Sequence, residues 1–202
     1  MARRNEHSRE EIKAMAISAA TAILSRDGIS ALSTRNVAKA IGYTVGTLYL
    51  VFENLDELIL HINAATLSEL EQVLRVQTQA VPLPQDKIKV IAQGYLHFAQ
   101  SHPTRWSLLF SHQLPPGTPI PGWIVEKVST LFELIEVPLR LLKPNCEAKV
   151  YRSATRALWG GVQGICALAM SNKLRWGADV ASEDVINSLV SNYLTGFLQG
   201  GD

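Results

Sequence analysis

Hydrophobic positions recur at helical spacing along most of the chain. Between Ser8 and Asp27 the apolar residues follow the i, i+3, i+4 spacing of an amphipathic helix, and Ser8 and Glu11 have the spacing of a capping box at its start. The same periodicity predicts later helices over residues 55–79, 85–102, 123–142 and 146–174, a short one after Pro103 and a last one opened by Ser182 and ended by Gly200. The sequence therefore predicts an all-α fold.

Two short helices joined by a tight turn are predicted between Ser33 and Phe52. Gly42 ends the first where the turn needs a positive φ, and the Thr44 hydroxyl caps the second. Helices this short need a core to pack on, because helix nucleation is costly. The pattern is that of a helix-turn-helix, whose second helix enters the DNA major groove. That helix buries Val45, Leu48, Val51 and Phe52, and its outward residues are Thr44, Gly46, Thr47, Tyr49 and Leu50.

Composition bounds the class of protein. At 202 residues and 47% hydrophobic content the chain fits one ordered globular domain or two small ones. No stretch approaches the roughly 20 apolar residues of a membrane helix, and the N-terminus lacks the apolar core of a secretory signal. Cys146 and Cys166 lie far apart and fit a reducing compartment. We therefore expect a cytoplasmic protein.

The basic charge lies in the N-terminal part of the chain. The net charge is +1 overall, whereas residues 1–52 hold seven Lys and Arg against four Asp and Glu, a net charge of +3. This modest excess agrees with contact to phosphate. Arg3 and Arg4 leave two interpretations open: a frayed terminus, or an arm that reaches an adjacent groove.

The sequence lacks the motifs of an enzyme. It has no H-E-x-x-H zinc motif, phosphate-binding loop, G-x-G-x-x-G or G-x-S-x-G motif. His97 and His102 are five residues apart, which does not place two metal ligands on one helical face. We predict a protein without catalytic residues, cofactor or metal.

Residues 8–60 resemble the DNA-binding domain of the TetR family of bacterial repressors. The matching features are Asp27-Gly28 at the end of the first helix, Ser33-Thr34-Arg35 followed by Val37-Ala38, the Gly42 turn, Gly46-Thr47-Leu48-Tyr49, and Phe52 with Leu58. The resemblance implies a DNA-binding transcriptional regulator. One position departs from the family, which usually has Lys three residues after the Phe, where this chain has Leu55.

The second half resembles family members with a Trp and then a His-Gly pair in the penultimate long helix, the WHG type. Trp159 is present, and Gln163-Gly164 stands where His-Gly is expected. The resemblance implies a helical domain that binds a small molecule and dimerises through its last two helices. Three glycines within five residues of that helix, Gly160, Gly161 and Gly164, also favour close helix approach, inside a bundle or across a dimer.

The sequence thus predicts a helix-turn-helix DNA-binding domain over residues 1–52 and a helical ligand-binding and dimerisation bundle over residues 53–202. We expect a repressor that binds a palindromic operator as a dimer and is released by a small hydrophobic or aromatic molecule. The alternative is a small-molecule binding protein with weak or lost DNA binding, and an activator stays open. The effector and the operator sequence do not follow from the sequence.

Residues for both sites can be named. The predicted DNA-reading residues are Thr44, Val45, Gly46, Thr47, Leu50 and Arg35, with phosphate contacts from Ser33, Thr34, Lys39, Thr44 and Tyr49. Tyr49 has a second interpretation as a core residue. The predicted ligand-binding residues are the aromatic and polar groups of the middle helices: Tyr95, Phe98, His102, Trp106, Phe110, Gln113, Trp123, Trp159, Gln163, Cys166 and Met170.

Overall fold

A computed structural model describes residues 7–177 and 179–200 and confirms the all-α fold. Within these residues the chain forms nine α-helices, with a 3-10 turn at Ile29–Ala31. The helices are α1 (Arg9–Asp27), α2 (Thr34–Ala40), α3 (Val45–Leu48), α4 (Leu55–Thr78), α5 (Pro84–Ser101), α6 (Pro103–Ser111), α7 (Gly122–Leu142), α8 (Ala148–Met170) and α9 (Ser182–Gln199).

The first of two compact units holds the described residues up to Thr66 together with His102–Ile124. Its core combines α1, α2, α3, the first turns of α4, and one residue of α6. The buried members are Ala16, Ala20, Ile23, Leu24, Leu32, Val37, Ala38, Leu48, Phe52, Leu58, Ile59, Ile62 and Leu108. The two helices of the predicted hairpin therefore have the core that their shortness requires.

Caps fix the helix starts in this unit where the sequence predicts them. Ser8 Oγ accepts from Glu11 N–H at 3.2 Å while Ser8 N–H donates to Glu11 Oε2 at 2.6 Å, which completes the capping box. Asn54 Oδ1 accepts from Glu57 N–H at 2.9 Å at the start of α4. These bonds satisfy amide groups that have no partner within the helix.

The third helix is shorter than the pattern predicts. Apolar spacing continues to Phe52, but regular α-helix ends at Leu48. The chain then tightens, because Leu50 N–H donates to Thr47 O and Val51 N–H to Leu48 O, both three residues back. Leu48 and Phe52 are nevertheless buried, so the predicted inward face is kept by a turn rather than by further helix.

The second compact unit holds Leu67–Ser101 and the described residues from Val125 onward. Its core lies among α5, α7, α8 and α9. The buried members are Ile88, Ala92, Leu96, Leu139, Tyr151, Ala154, Leu158, Val162, Ile165, Cys166, Ile186, Val190 and Leu194. The close helix approach predicted from the glycines occurs at Gly161, which faces Leu189, whereas Gly160 and Gly164 are exposed.

The penultimate helix is shorter than predicted at both ends. The sequence predicts residues 146–174, whereas α8 begins at Ala148 and ends at Met170, and Asn145 takes a positive φ of 71° in the turn before it. Tyr151 holds that turn, since its hydroxyl accepts from Cys146 N–H at 3.0 Å and donates to Lys143 O at 2.7 Å. The helix predicted over residues 123–142 is confirmed to within one residue, since α7 runs through Pro138 to Leu142.

Two searches of the described residues bear on function. No helix in them is long and apolar enough to cross a membrane. They also contain no group of three or more His, Cys, Asp and Glu side chains that could hold a metal ion. The functional division after residue 52 stays a prediction.

Candidate functional site

The outer surface of the helix-turn-helix presents most of the predicted DNA-reading residues to solvent. Tyr49 is 52% exposed and Leu50 60% exposed, and Thr44, Gly46 and Arg35 are exposed as well. The exposure of Tyr49 favours its interpretation as a surface residue over that as a core residue. The neighbouring inward-facing residues are buried, Leu48 at the end of α3 and Phe52 after the turn that follows it, so the surface rests on a packed base.

Local hydrogen bonds hold the turn and the start of α3. Gly42 has a φ of 75°, as the turn requires. Thr44 Oγ1 accepts from Thr47 N–H at 3.2 Å and lies 3.0 Å from Thr47 Oγ1. Ser33 Oγ caps α2 in the same way, accepting from Asn36 N–H at 3.2 Å. The hydroxyls of Ser33 and Thr44 are therefore engaged in capping while remaining at the surface.

Val45 is placed differently from the other predicted readers. It is half-buried and packs against the core of the first unit. This packing follows from its spacing, because Val45 lies on the same inward face as Leu48. The packing limits how far Val45 can contact a base. Leu55, in the position where the resemblance leads us to expect Lys, is also half-buried against this core.

Two basic residues accompany the reading surface on α2. Arg35 and Lys39 are exposed, one helical turn apart, and neither has an ion pair among the described residues. Lys39 also borders an open groove of about 470 Å³ between α2 and the last turn of α1, beside Arg26 and Asp27. Arg3 and Arg4 lie outside the described residues.

One contact beside the reading surface was not predicted. His7 Nδ1 lies 2.8 Å from the Tyr43 hydroxyl, and the two rings meet edge to face with centroids 6.1 Å apart. Tyr43 directly precedes the Thr44 cap of α3, so this contact ties the residue before α1 to the turn. The two aromatic residues are 36 positions apart, and no spacing rule connects them.

The predicted ligand-binding residues fall into two sets. His102, Trp106, Phe110, Gln113 and Trp123 belong to the first unit, where Trp106 is buried, Phe110 is 40% exposed and Gln113 is exposed. Within this unit Trp123 stacks on His61, with ring centroids 4.5 Å apart. The remaining residues belong to the second unit: Tyr95, Phe98, Trp159, Gln163, Cys166 and Met170.

The second unit contains a small apolar cavity of about 30 Å³. Tyr95 and Trp159 are the predicted ligand-binding residues that line it. The other lining residues are aliphatic, and sequence reasoning missed them because their spacing is the same as that of ordinary core residues: Ile88, Ile91, Ala92, Ile135, Leu158, Val162 and Val190. A volume of this size holds one or two water molecules at most.

Three of the predicted residues meet beside the cavity. Trp159 Nε1–H donates to the Tyr95 hydroxyl at 3.0 Å, and that hydroxyl donates to Gln163 Oε1 at 2.8 Å. Burial strongly raises the pKa of Tyr95, and it raises the pKa of the Cys166 thiol to about 12, so both stay protonated near neutral pH. These surroundings disfavour an anion. Phe98 and Cys166 are buried core residues.

Two family models match the chain. The model described as "Bacterial regulatory proteins, tetR family" matches residues 16–62, and the one described as "Tetracyclin repressor-like, C-terminal domain" matches residues 88–192. The second match alone spans more than half of the chain. The WHG type is not resolved by these matches and stays a prediction. A comparison with curated proteins found no match.

Several solved structures share the fold. A protein of unknown function from Rhodococcus sp. RHA1 has a TM-score of 0.76 at 17% identity, covering 98% of this chain and 100% of its own. The transcriptional regulator SCO7222, a TetR from Streptomyces coelicolor, has a TM-score of 0.70 at 17% identity, with 96% and 100% covered. The fatty acid degradation regulator FadR from Bacillus halodurans has a TM-score of 0.63 at 16% identity, with 94% and 99% covered.

Proposed function

The chain belongs to the TetR family of DNA-binding transcriptional regulators, which are not enzymes, and we propose that it is a repressor of this family. In this proposal a homodimer binds a palindromic operator and leaves it when a small hydrophobic or aromatic molecule binds. Cys146 and Cys166 form no disulfide among the described residues, which is in keeping with action in the cytoplasm.

The observation that carries the proposal is the exposed surface of α3 above a fully buried base. We assign the base contacts to the exposed Thr44, Gly46 and Leu50, to the half-buried Thr47, and to the exposed Arg35 on α2. The set contains a single residue, Arg35, able to make a bidentate contact with a base. We assign the phosphate contacts to Ser33, Thr34, Lys39, Thr44 and Tyr49.

Selection of bound DNA from a random pool tests this assignment. A palindrome with half-sites about 34 Å apart, or a multiple of that, is the expected product of a twofold dimer. Gel-shift titrations of Arg35→Ala and Tyr49→Phe on that DNA should show weaker binding than wild type. Arg75→Ala is the matched control, because it removes an exposed Arg of the second unit whose partner is Glu71. If Arg35→Ala and Tyr49→Phe bind as tightly as Arg75→Ala, the assignment is wrong.

Exposed small and apolar residues on the last two helices support the proposed dimer. Gly160, Gly164 and Leu168 form an exposed stripe with a spacing of four on α8, and Leu198 is 46% exposed on α9. Such surfaces are typical of a subunit interface. In sedimentation experiments Gly164→Glu should lower the dimer fraction, whereas Gln100→Glu, an exposed position on α5, should not. Equal dimer fractions for the two variants would contradict this interface.

The effector acts in this proposal by preferring one conformation of the dimer. A ligand shifts an equilibrium only by its difference in affinity between two states. We expect it to favour a dimer whose two reading surfaces are wrongly spaced for the operator, with the long helix α4 carrying the change. The apolar cavity of the second unit, next to the Trp159 and Gln163-Gly164 of the proposed WHG type, is the site we assign to it.

A small-molecule binding protein with weak DNA binding is the alternative. Leu55 motivates it, since a half-buried Leu stands where the family commonly provides a basic phosphate contact. The same gel shift separates the two functions when it is run at low salt, because phosphate contacts weaken steeply as salt rises. A folded dimer that shifts no DNA at low salt would favour the alternative.

A further inference from the structure

Three of the residues that line the cavity of the second unit are less buried than the rest. Its deep walls are the buried side chains of α5, α8 and α9, whereas Tyr95, Ile135 and Trp159 are only half-buried. Trp159 is the largest of the three. It also contacts Phe132, a buried residue of α7, with ring planes at 89° and centroids 5.5 Å apart.

The cavity is too small for an organic ligand as it stands. Small-molecule sites commonly enclose about 300–1,000 Å³, and even benzene needs a space of roughly 150 Å³. A bound ligand therefore needs room that one of the three half-buried side chains now occupies. The Trp159 indole is the side chain whose departure releases the most volume and leaves the aliphatic walls intact.

Movement of the indole would remove one hydrogen bond that the Tyr95 hydroxyl oxygen accepts. The Tyr95 hydroxyl oxygen accepts the indole N–H at 3.0 Å, and its own proton is directed to Gln163 Oε1 at 2.8 Å. When the indole leaves, that oxygen loses a donor in apolar surroundings. The hydroxyl keeps its bond to Gln163, and a ligand that supplies a new donor to its oxygen regains the hydrogen bond that the indole gave, so such a ligand is favoured over one without a donor.

We propose that the effector is an uncharged planar aromatic molecule carrying an N–H or O–H donor, which takes the position of the Trp159 indole beside Tyr95 and Phe132. Its ring replaces the indole against the Phe132 edge, and its donor bonds to the Tyr95 oxygen. The proposal rests on the proposed function only in naming the bound molecule the effector. Indoles and phenols are the simplest members of this class.

Matched ligand pairs test the proposal on the wild-type protein without DNA. Indole and 1-methylindole differ by the N–H donor, as phenol and anisole differ by the O–H donor. Titration calorimetry should show that the donor-bearing member of each pair binds about tenfold more tightly, given the usual net contribution of one hydrogen bond. Equal affinities within the pairs, or no binding of any of the four compounds, would overturn the proposal.

Two variants test whether the preference for a donor-bearing ligand arises at Tyr95 and Trp159. Tyr95→Phe removes the accepting oxygen and keeps the ring, so both indoles should still bind but the preference for indole should disappear. Trp159→Ala leaves a space of indole shape, so free indole should raise its melting temperature, whereas Trp176→Ala, which removes a Trp that is 75% exposed, should not respond in this way. A preference that persists in Tyr95→Phe would overturn the proposal even if Trp159→Ala does not fold.

An anionic ligand is the rival outcome. The Arg156 guanidinium lies over the Phe132 ring with its carbon 3.4 Å from the centroid, so it could pair with a carboxylate near Trp159. If benzoate binds more tightly than phenol and Arg156→Ala abolishes that binding, the site recognises acids and the proposal is wrong.

The experiments distinguish failure of this proposal from failure of the proposed function. If the protein prefers ligands with a donor but binds no operator, only the repressor function is overturned. If it binds an operator but shows no preference for a donor, only the proposed class of ligand is overturned.

Discussion

Gly161 on α8 faces Leu189 on α9 so closely that a Cβ at position 161 would lie 2.7 Å from Leu189 Cδ2. Real Cβ atoms essentially never approach another heavy atom this closely, so a side chain at position 161 would force the Leu189 side chain to shift. The neighbouring Gly160 has nothing within 4 Å of the same position. One of two adjacent glycines therefore sets a helix contact within the unit, and the other is free of it.

We expect Gly161→Ala to lower the free energy of unfolding by about 1–3 kcal/mol, the usual cost of overpacking. Gly160→Ala should raise it by up to about 1 kcal/mol, because alanine is the better helix former. Urea denaturation at several protein concentrations measures both effects and separates folding from dimerisation. In a Leu189→Ala background the clash is absent, so Gly161→Ala should no longer be destabilising. A loss that is unchanged in that background would show that the contact is not its cause.

Substitutions at two glycines of the helix-turn-helix should have different effects, one on stability and the other on DNA binding. Gly42→Ala should destabilise the protein by about 1–2 kcal/mol, because its φ of 75° is unfavourable for a residue with a Cβ although the space is open. Gly46→Ala should not destabilise it, since an added Cβ meets only Thr44 Oγ1 at 3.7 Å. We expect Gly46→Ala instead to weaken operator binding, because the new methyl group points from the reading surface. Thermal denaturation and gel shifts on the same two variants check this, and normal operator binding by Gly46→Ala would remove Gly46 from the contacts.

Local signals made the N-terminal fold predictable. Ser8 and Thr44 each cap a helix as the sequence predicts, because a cap depends on residues within one turn of it. Where the end of a helix depended on contacts with residues distant in the sequence, the prediction was less accurate. The apolar spacing through Phe52 did not reveal that α3 ends at Leu48, since a tight turn can bury the same side chains as a helix.

The ligand site illustrates the limit more sharply. Tyr95, Trp159 and Gln163 were predicted as ligand-binding residues along with eight others, but nothing in their spacing showed that these three share hydrogen bonds. Tyr95 and Gln163 are 68 positions apart on different helices. The aliphatic residues that line the cavity could not be predicted for another reason. A residue that lines a cavity and one that packs in the core have the same pattern in the sequence.

The contact between His7 and Tyr43 predicts an energetic coupling between the segment before α1 and the turn before α3. Because their hydrogen bond of 2.8 Å is half-buried, we expect a double-mutant cycle of His7→Ala and Tyr43→Phe to give a coupling free energy of about 0.5–1 kcal/mol. His97→Ala, at an exposed position on α5, is the control partner for Tyr43→Phe and should show no coupling. Additive effects of His7→Ala and Tyr43→Phe would mean that the contact does not stabilise the fold.

His61 on α4 should make the protein sensitive to acid. Burial lowers the pKa of His61 below its ordinary 6.5, and the charge of Lys13 adds to this effect while Glu57 opposes it. As the pH falls through the ordinary value the unfolded chain binds a proton that the folded protein does not, so the free energy of unfolding decreases until the pH reaches the folded-state pKa.

Replacing His61 by Phe tests this origin of the acid sensitivity. His61→Phe keeps a ring to stack on Trp123, where the centroids are 4.5 Å apart, and removes the titrating group. Urea denaturation at about pH 7 and pH 5.5 should show a smaller loss of stability for His61→Phe than for wild type, whereas His97→Gln should behave as wild type. If His61→Phe and wild type lose the same free energy over this range, protonation of His61 does not oppose folding and the sensitivity lies elsewhere.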